Sequence, residues 1–160
     1  MERAFPESSA WDRPGFLLWH ATLAWQRQVG DALRPLGLTH VQFVLLAGTF
    51  WLEVHGDGPP SQRTLADHAG TDVMMTSQVI RSLQARKLIR RTDDPRDSRA
   101  YALLPSAAGR KLARAAAFAM KEANDDFFET VGGDSGRLRT MLAQLTSENW
   151  AEADSSASAA

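Results

Sequence analysis

The chain has 160 residues, a formal net charge of −1, and 44% hydrophobic residues. This length and composition predict one globular domain that buries roughly 68 to 70% of its extended surface. Cysteine is absent from the sequence, which excludes disulfide scaffolds, thiolate zinc sites and cysteine-based redox switches.

The N-terminal segment shows no apolar stretch of the kind that secretory signals contain, and residues 1–13 are predicted to form a partly disordered arm. The longest apolar run, from Val41 to Leu52, is too short for a membrane span of about 20 residues. We therefore expect a cytoplasmic protein without a membrane partner.

Two helices are predicted in the first third of the chain. The first spans about residues 14–33 and ends before Pro35, and the second begins at Thr39 as its N-cap and runs to about His55. The second helix is apolar on most sides, so other elements must cover it. The apolar side of the first helix is formed by Leu17, Leu18, Ala21, Ala24, Trp25 and Gln28.

Residues 61–86 have the pattern of a helix-turn-helix. Ser61 follows two prolines and suits an N-cap, Gly70 permits a tight turn, and Asp72 suits the N-cap of a second helix. Side chains at three- and four-residue spacing predict the inward stripe of that helix, formed by Val73, Thr76, Val79, Ile80 and Leu83. The outward side chains, of types that contact base edges and phosphates, are Met75, Ser77, Gln78 and Arg81.

Two short strands, residues 88–92 and 99–104, are predicted around a charged turn, which together make a wing. Arg96 at the tip and Arg99 at the exit suit a narrow minor groove, where negative potential is concentrated. Asp97 is expected to brace one of these two arginines.

The C-terminal part is predicted to contain two more helices. A long Ala-rich helix runs from residue 106 to about 131, Gly132 and Gly133 break it, and a last helix runs from about 135 to 150. The flanking helices carry more apolar surface than one small winged helix can bury, which predicts a partner chain. The alternative is an intramolecular helical cap. Residues 153–160 are predicted to be a disordered tail.

These elements predict a mainly α (α+β) fold. A winged helix-turn-helix with a two-stranded wing occupies residues 61–104, and N- and C-terminal dimerisation helices flank it at 14–55 and 106–152, within one domain spanning 14–152. Residues 61–110 hold nine basic and five acidic side chains, although the whole chain is slightly acidic. Positive charge therefore lies on the motif, as neutralisation of DNA phosphates requires.

The same segments resemble the MarR-type winged-helix transcription regulators. The similarity is carried by residues 65–66, 77–83, 87–91, 94–99 and 104–109. It implies an obligate homodimer that binds a pseudo-palindromic operator in double-stranded DNA, often as a repressor. It also implies frequent release from DNA by a small, often aromatic, ligand.

The chain departs from this family pattern at three positions. The family usually has Gly where Lys87 stands, often Arg where Gln78 stands, and often a basic residue where Ser98 stands. Lys87 makes the exit of the second motif helix less permissive. Gln78 and Ser98 remove two cations from the surface expected to contact DNA.

The candidate DNA-binding residues fall into two groups. Those expected at base edges or nearby phosphates are Met75, Ser77, Gln78 and Arg81. Those expected mainly at the DNA backbone and the minor groove are Ser61, Arg63, Arg96 and Arg99, with Asp97 as a brace.

Aromatic residues are concentrated on the two helices that precede the motif. They predict a pocket for an aromatic effector, where stacking surface and a polar group lie together. Its candidate lining is Trp19, His20, Phe43, Ala47, Phe50 and Trp51. The alternative is ordinary core packing of these side chains.

No histidine pair has metal-ligand spacing and no catalytic motif is present, so neither a metal site, a cofactor nor an enzyme is expected. Two alternatives remain open. One is a winged-helix protein-interaction module without DNA binding, which Gln78, Ser98 and the acidic flanks favour. The other is a small-molecule enzyme that uses His20 or His55.

Overall fold

The structure of the protein, a computed structural model, describes residues 13–94, 97–133 and 136–157, with only the backbone at 97–100 and 147–157. The chain divides into two compact units, Met1–Ala123 and Asn124–Ala160. The predicted N-terminal arm lies, except for Arg13, outside the described residues. In chain order the elements are α1 (Pro14–Leu33), a 3-10 turn (Arg34–Leu36), α2 (His40–His55), α3 (Gln62–Ala69), α4 (Val73–Ala85), β1 (Ile89–Asp94), β2 (Asp97–Pro105), α5 (Ala107–Glu129) and α6 (Gly136–Ala157).

The central helix of the first unit is α2, which contacts α1, α3, α4 and β2. It begins with a capping box, in which the Thr39 hydroxyl accepts from the Gln42 N–H and the Gln42 side chain accepts from the Thr39 N–H. Thr49 is fully buried, and its hydroxyl donates to the carbonyl oxygen of Leu45 over 2.7 Å. The helix therefore crosses the core without leaving that hydroxyl unpaired.

The core of the first unit is built around α2 by α1, α3, α4, β1, β2 and α5. From α1 it takes Val29 and Leu33, whereas Leu17 and Leu18 of the predicted apolar side are 55% and 48% exposed. The core reaches only the C-terminal half of α1, which explains this difference. The buried side chains are Val29, Leu33, Leu38, Leu45, Leu46, Leu65, Ile80, Leu83, Leu88, Ile89, Leu103, Ala113, Ala116 and Met120.

The predicted helix-turn-helix and the two-stranded antiparallel wing are confirmed, with shifted strand boundaries. Leu88 was predicted in the first strand, but its N–H donates to the carbonyl oxygen of Leu83 over 2.9 Å. It therefore belongs to the exit of α4, and β1 begins at Ile89. Both strands reach further toward the tip than predicted, since Asp94 pairs with Asp97.

The predicted break between the last two helices is confirmed by Gly132 and Gly133, whose φ angles are 89° and 75°. The end predicted for the last helix, at Trp150, is too early. α6 continues to Ala157 and so includes residues 153–157 of the segment predicted to be disordered. Alanine has the highest helix propensity, which accounts for helical structure in this Ala-containing segment.

No single described helix is long and apolar enough to span a membrane. Among the described helices, one pair, Pro14–Leu36 and His40–His55, satisfies the length and composition criteria together, and its two members meet at a 71° bend.

Gly109 lies where α5 meets the exit of α4. A Cβ atom at this position would lie 2.1 Å from the Leu88 carbonyl oxygen, so backbone would have to move. We expect Gly109→Ala to lower the free energy of unfolding by about 1 to 3 kcal/mol or more. Gly30→Ala is the matched control, because nothing lies within 4 Å of its Cβ. That substitution should stabilise α1 by up to about 1 kcal/mol. Urea denaturation at one protein concentration measures both changes, and equal effects would contradict the packing at Gly109.

Burial lowers the pKa of His40 from its ordinary value of 6.5, and the ring meets Trp25 edge-on at 4.9 Å. Between the lowered pKa and 6.5 the unfolded chain binds more protons than the folded chain. The free energy of unfolding should therefore fall as pH drops below 6.5. Thermal unfolding in steps below that pH should show a shallower fall in His40→Phe than in wild type. His20→Phe, at an exposed position, is the matched control. An unchanged profile in His40→Phe would assign the pH dependence to other groups.

Candidate nucleic-acid interface

The turn between α3 and α4 is fixed by two caps and one glycine. The Ser61 hydroxyl accepts from the Thr64 N–H over 3.1 Å and so caps α3. Gly70 ends α3 with a φ of 62°, a left-handed conformation that glycine adopts without steric cost. Asp72 caps α4 by accepting from the Met75 N–H over 2.8 Å. Both predicted caps are confirmed, and they place the start of α4 directly after the turn.

Three side chains of α4 are fully buried: Thr76, Ile80 and Leu83. Val73 was also predicted to face inward, but it is 51% exposed. It occupies the first turn of α4, which extends beyond the core. The exposed face carries Gln78 and Arg81.

Polar contacts hold α4 to the elements behind it. The Arg86 guanidinium donates to the Gly37 carbonyl oxygen over 2.9 Å, which ties the C-terminus of α4 to the turn between α1 and α2. The Gln42 amide donates to the Ser82 hydroxyl over 3.3 Å, which links α4 to α2. At the other end the hydroxyl oxygens of Thr76 and Thr71 lie 2.7 Å apart, which links α4 to the turn that precedes it. The outward face of α4 is therefore held by contacts at both ends.

The base of the wing is joined to the start of α3. The Leu103 N–H donates to the Pro60 carbonyl oxygen over 2.8 Å, and Ser61 forms an antiparallel bridge with Ala102. On the solvent side the Arg91 guanidinium lies 5.9 Å from the centre of the Tyr101 ring. The bonds to Pro60 and Ser61 therefore connect the wing directly to the helix-turn-helix.

The structure places the predicted base-contacting residues at unequal positions on α4. Gln78 and Arg81 are exposed, Met75 is 36% exposed, and Ser77 is partly buried. Met74, the first residue on the outward face of α4, was not predicted to contact DNA, and it is 82% exposed. The four-residue spacing from Met74 to Gln78 was the sequence signal for it.

The remaining predicted DNA contacts lie on α3 and the wing. Arg63 is exposed on α3, whereas the partly buried Ser61 already uses its hydroxyl as a cap. Arg96 lies outside the described residues. For Asp97 and Arg99 the structure describes only their backbone in β2.

The aromatic residues predicted to line an effector pocket take part in different ring contacts. Trp19 and His20 contact each other at 5.2 Å between centroids, and both contact Phe16. Trp51 instead stacks with His55 at 4.9 Å and with His68 at 5.1 Å. A ligand that stacks on Trp51 has to compete with these imidazoles.

The other three predicted pocket residues lie on α2. Phe43 packs against the hydrophobic core and Ala47 is partly buried. Phe50 also packs against the core, and the guanidinium groups of Arg110 and Arg114 lie 5.1 and 5.3 Å from its ring centre. Within one chain, Phe43 and Phe50 thus pack against the core, as the alternative to an effector pocket predicts.

An open groove of about 610 Å³ lies at the turn between α1 and α2, and its lining includes none of the predicted pocket residues. Its lining comprises Gln26, Gly30, Arg34, Gly37, Leu38, Thr39, His40 and Val41. Among the residues that the structure describes, no cluster of three histidine or acidic side chains is arranged to hold a metal ion.

Comparisons with known proteins agree with this geometry. The sequence model of the MarR family matches residues 38–101. The chain is 41% identical over 115 residues to YdcH, an uncharacterized HTH-type transcriptional regulator of Bacillus subtilis (strain 168), and the match covers 72% of this chain and 78% of YdcH. The chain belongs to the MarR family.

Solved structures of similar proteins share this fold. A probable transcriptional regulator from Pseudomonas aeruginosa is 28% identical with a TM-score of 0.72, covering 84% of this chain and 97% of its own. CouR from Rhodococcus jostii RHA1, in a crystal structure bound to p-coumaroyl-CoA, is also 28% identical, with a TM-score of 0.70 over 84% and 92% of the chains. As a MarR-family member the protein is a DNA-binding transcription regulator.

Lys87 stands where the family usually has Gly, and its backbone adopts a left-handed conformation that disfavours a side chain. The Lys87 N–H donates to the Gln84 carbonyl oxygen and the Leu88 N–H to that of Leu83, the two bonds of a Schellman motif. Lys87 accordingly has a φ of 57°. A side chain in this left-handed conformation costs roughly 1 to 2 kcal/mol, so the motif is kept although the residue disfavours it.

Proposed function

We propose that the protein acts as a homodimeric repressor on a pseudo-palindromic operator, with α4 in the major groove and the wing at the minor groove. The observation that carries this proposal is the face of α4 opposite its buried stripe. That face is exposed and presents Gln78 and Arg81 on a motif of net positive charge. The proposed role is binding without catalysis, and the cytoplasmic location stays a prediction.

Each candidate residue has a distinct proposed contact. Gln78 suits adenine and Arg81 suits guanine, because each can make two hydrogen bonds to that base in the major groove. Met75 and Ser77 flank them and would meet nearby base edges or phosphates. The proposed contacts to the DNA backbone and the minor groove come from Ser61, Arg63, Arg96 and Arg99, with Asp97 bracing an arginine.

A second copy of the chain is the proposed partner of the exposed apolar surfaces. In α1, Leu17 and Trp19 are 55% and 57% exposed, and in α6, Met141 and Leu145 are 53% and 58% exposed. The second unit also has a groove of about 320 Å³ next to Leu142. Monomeric proteins rarely leave such surfaces in water, and two copies related by a two-fold axis fit a pseudo-palindromic operator.

A small aromatic effector is the proposed regulator of DNA binding. CouR binds p-coumaroyl-CoA, which carries an aromatic group. The exposed rings of Trp19 and Trp51, each beside a histidine, offer stacking surface and polar groups in this chain. The proposed pocket lining also includes Phe43, Ala47, Phe50 and His20, together with residues of the second copy.

The first test measures binding to duplexes selected from a random pool, as a function of salt. Arg81→Ala should relax base preference by about 1 to 3 kcal/mol at one position of each half-site. Arg63→Ala should weaken binding to all sequences alike and reduce the salt slope by about 0.9 for each phosphate that the variant no longer neutralises. Arg27→Ala, an exposed arginine on α1, is the control for loss of charge. If the Arg81→Ala and Arg63→Ala effects equal that control, α4 and α3 do not face the DNA.

The second test concerns the apolar face of α6. Leu145→Glu places a carboxylate in the proposed interface and should shift the protein toward monomer in sedimentation velocity. Thr140→Glu, at an exposed position away from Leu145 around the helix, should leave the dimer intact. Operator affinity should fall with dimerisation, because paired major-groove helices must lie about 34 to 36 Å apart. A dimeric Leu145→Glu variant would place the interface on other surfaces.

A further inference from the structure

The most exposed large hydrophobic side chain among the described residues is Met74, at 82%. It stands second in α4, directly after the turn that separates the two motif helices. The neighbouring Val73 and Met75 are 51% and 36% exposed. The N-terminal end of α4 is thus an apolar tip composed of Val73, Met74 and Met75.

Met74 belongs to the same helix face as the proposed base-reading side chains. Gln78 follows it by four residues and Arg81 by a further three, the spacing that aligns side chains on one face. Thr76, Ile80 and Leu83 occupy the opposite face and are fully buried. Met74 is therefore central on the outward face, whereas Met75 and Ser77 lie toward its edges.

The position of the tip along α4 decides what it can reach. In helix-turn-helix proteins the N-terminal residues of the recognition helix contact base edges. At 1.5 Å per residue, Met74 lies about 6 Å along the axis from Gln78, which is less than two base-pair steps of about 3.4 Å. Both side chains can therefore act within one half-site.

The chemistry of the tip favours one group in the major groove. A thioether and a branched alkyl side chain make no strong hydrogen bond, so they contribute nothing to reading adenine, guanine or cytosine through donors and acceptors. The C5-methyl group of thymine is the apolar feature that the groove presents. Contact with it removes exposed apolar surface of Met74 from water.

Resting on the proposed function, we propose that Met74 is a specificity-determining residue that reads the C5-methyl group of a thymine in each operator half-site. Val73 and Met75 line the edges of the same contact. Gln78 and Arg81 read neighbouring bases by hydrogen bonds. Specificity in this chain then combines one apolar contact with two polar ones on a single helix face.

The experiment uses the full-length protein and a duplex selected from a random pool. Each thymidine of the duplex is replaced in turn by deoxyuridine, which removes only the C5-methyl group of the base. Wild-type affinity should fall about fourfold per methyl group removed at the thymine that Met74 contacts. Met74→Ala should bind the unmodified duplex more weakly, and replacement of that same thymine should cause no additional decrease.

Two controls separate this contact from general damage. Arg81→Ala should bind more weakly yet keep the fourfold response at that thymine, because its contact lies elsewhere on α4. Thermal unfolding of Met74→Ala should match wild type, since the side chain is mostly exposed.

Each outcome has a distinct meaning. Sequence-specific binding that no uracil replacement weakens would overturn the role of Met74 while leaving the proposed function intact. An equal uracil response in wild type and Met74→Ala would assign the methyl contact to another residue and so overturn the inference. Failure to select any duplex would overturn both proposals.

Discussion

The DNA-facing surface depends on the rotation of one short helix. Three side chains of α4, Thr76, Ile80 and Leu83, enter the core completely, and their spacing allows only one face of the helix to turn inward. Rotation by a single residue, about 100°, would expose part of this stripe and bury a polar side chain such as Gln84, which follows Leu83. Burial of an unpaired amide costs more than the apolar contact returns. The identity of the outward residues thus follows from the identity of the inward ones.

The supports of α4 connect this surface to the rest of the first unit. Its C-terminus is hydrogen-bonded through Arg86 to Gly37, at the turn between α1 and α2, and Ser82 is bonded to α2 through Gln42. The exit of α4 continues directly into β1, while the other strand of the wing bridges to Ser61 at the start of α3. A displacement of α1 against α2 can therefore be transmitted to α4 through these contacts. A dimer that changes the position of α1 can alter the spacing of its two α4 helices in this way.

The parts of the fold set by local chemistry could be predicted from sequence, whereas parts of the site could not. Ser61 and Asp72 cap helices with their own side chains, so each leaves a signal within a few residues. The exit of α4 was harder to predict, because Lys87 occupies a conformation typical of glycine. Val73 fits the inward period of α4, but periodicity carries no information about where a core ends. Met74 was overlooked for a related reason, since an apolar side chain next to Val73 in the sequence resembles core until its exposure is known.

The distribution of charge explains why an apolar contact is useful on this surface. The whole chain has a net charge of −1, and only the motif is basic, so attraction to phosphates is local and weakens as salt screens it. Gln78 stands where the family often has Arg, which lowers that attraction further. A contact between Met74 and a methyl group adds affinity that salt screens little, because it depends on removal of apolar surface from water. It also adds affinity at one kind of base alone, whereas a phosphate contact adds it at every sequence. Loss of a cation at Gln78 lowers nonspecific binding, and an apolar contact at Met74 adds specific binding. Together they raise the ratio of specific to nonspecific affinity, which decides whether a regulator finds its operator among competing DNA.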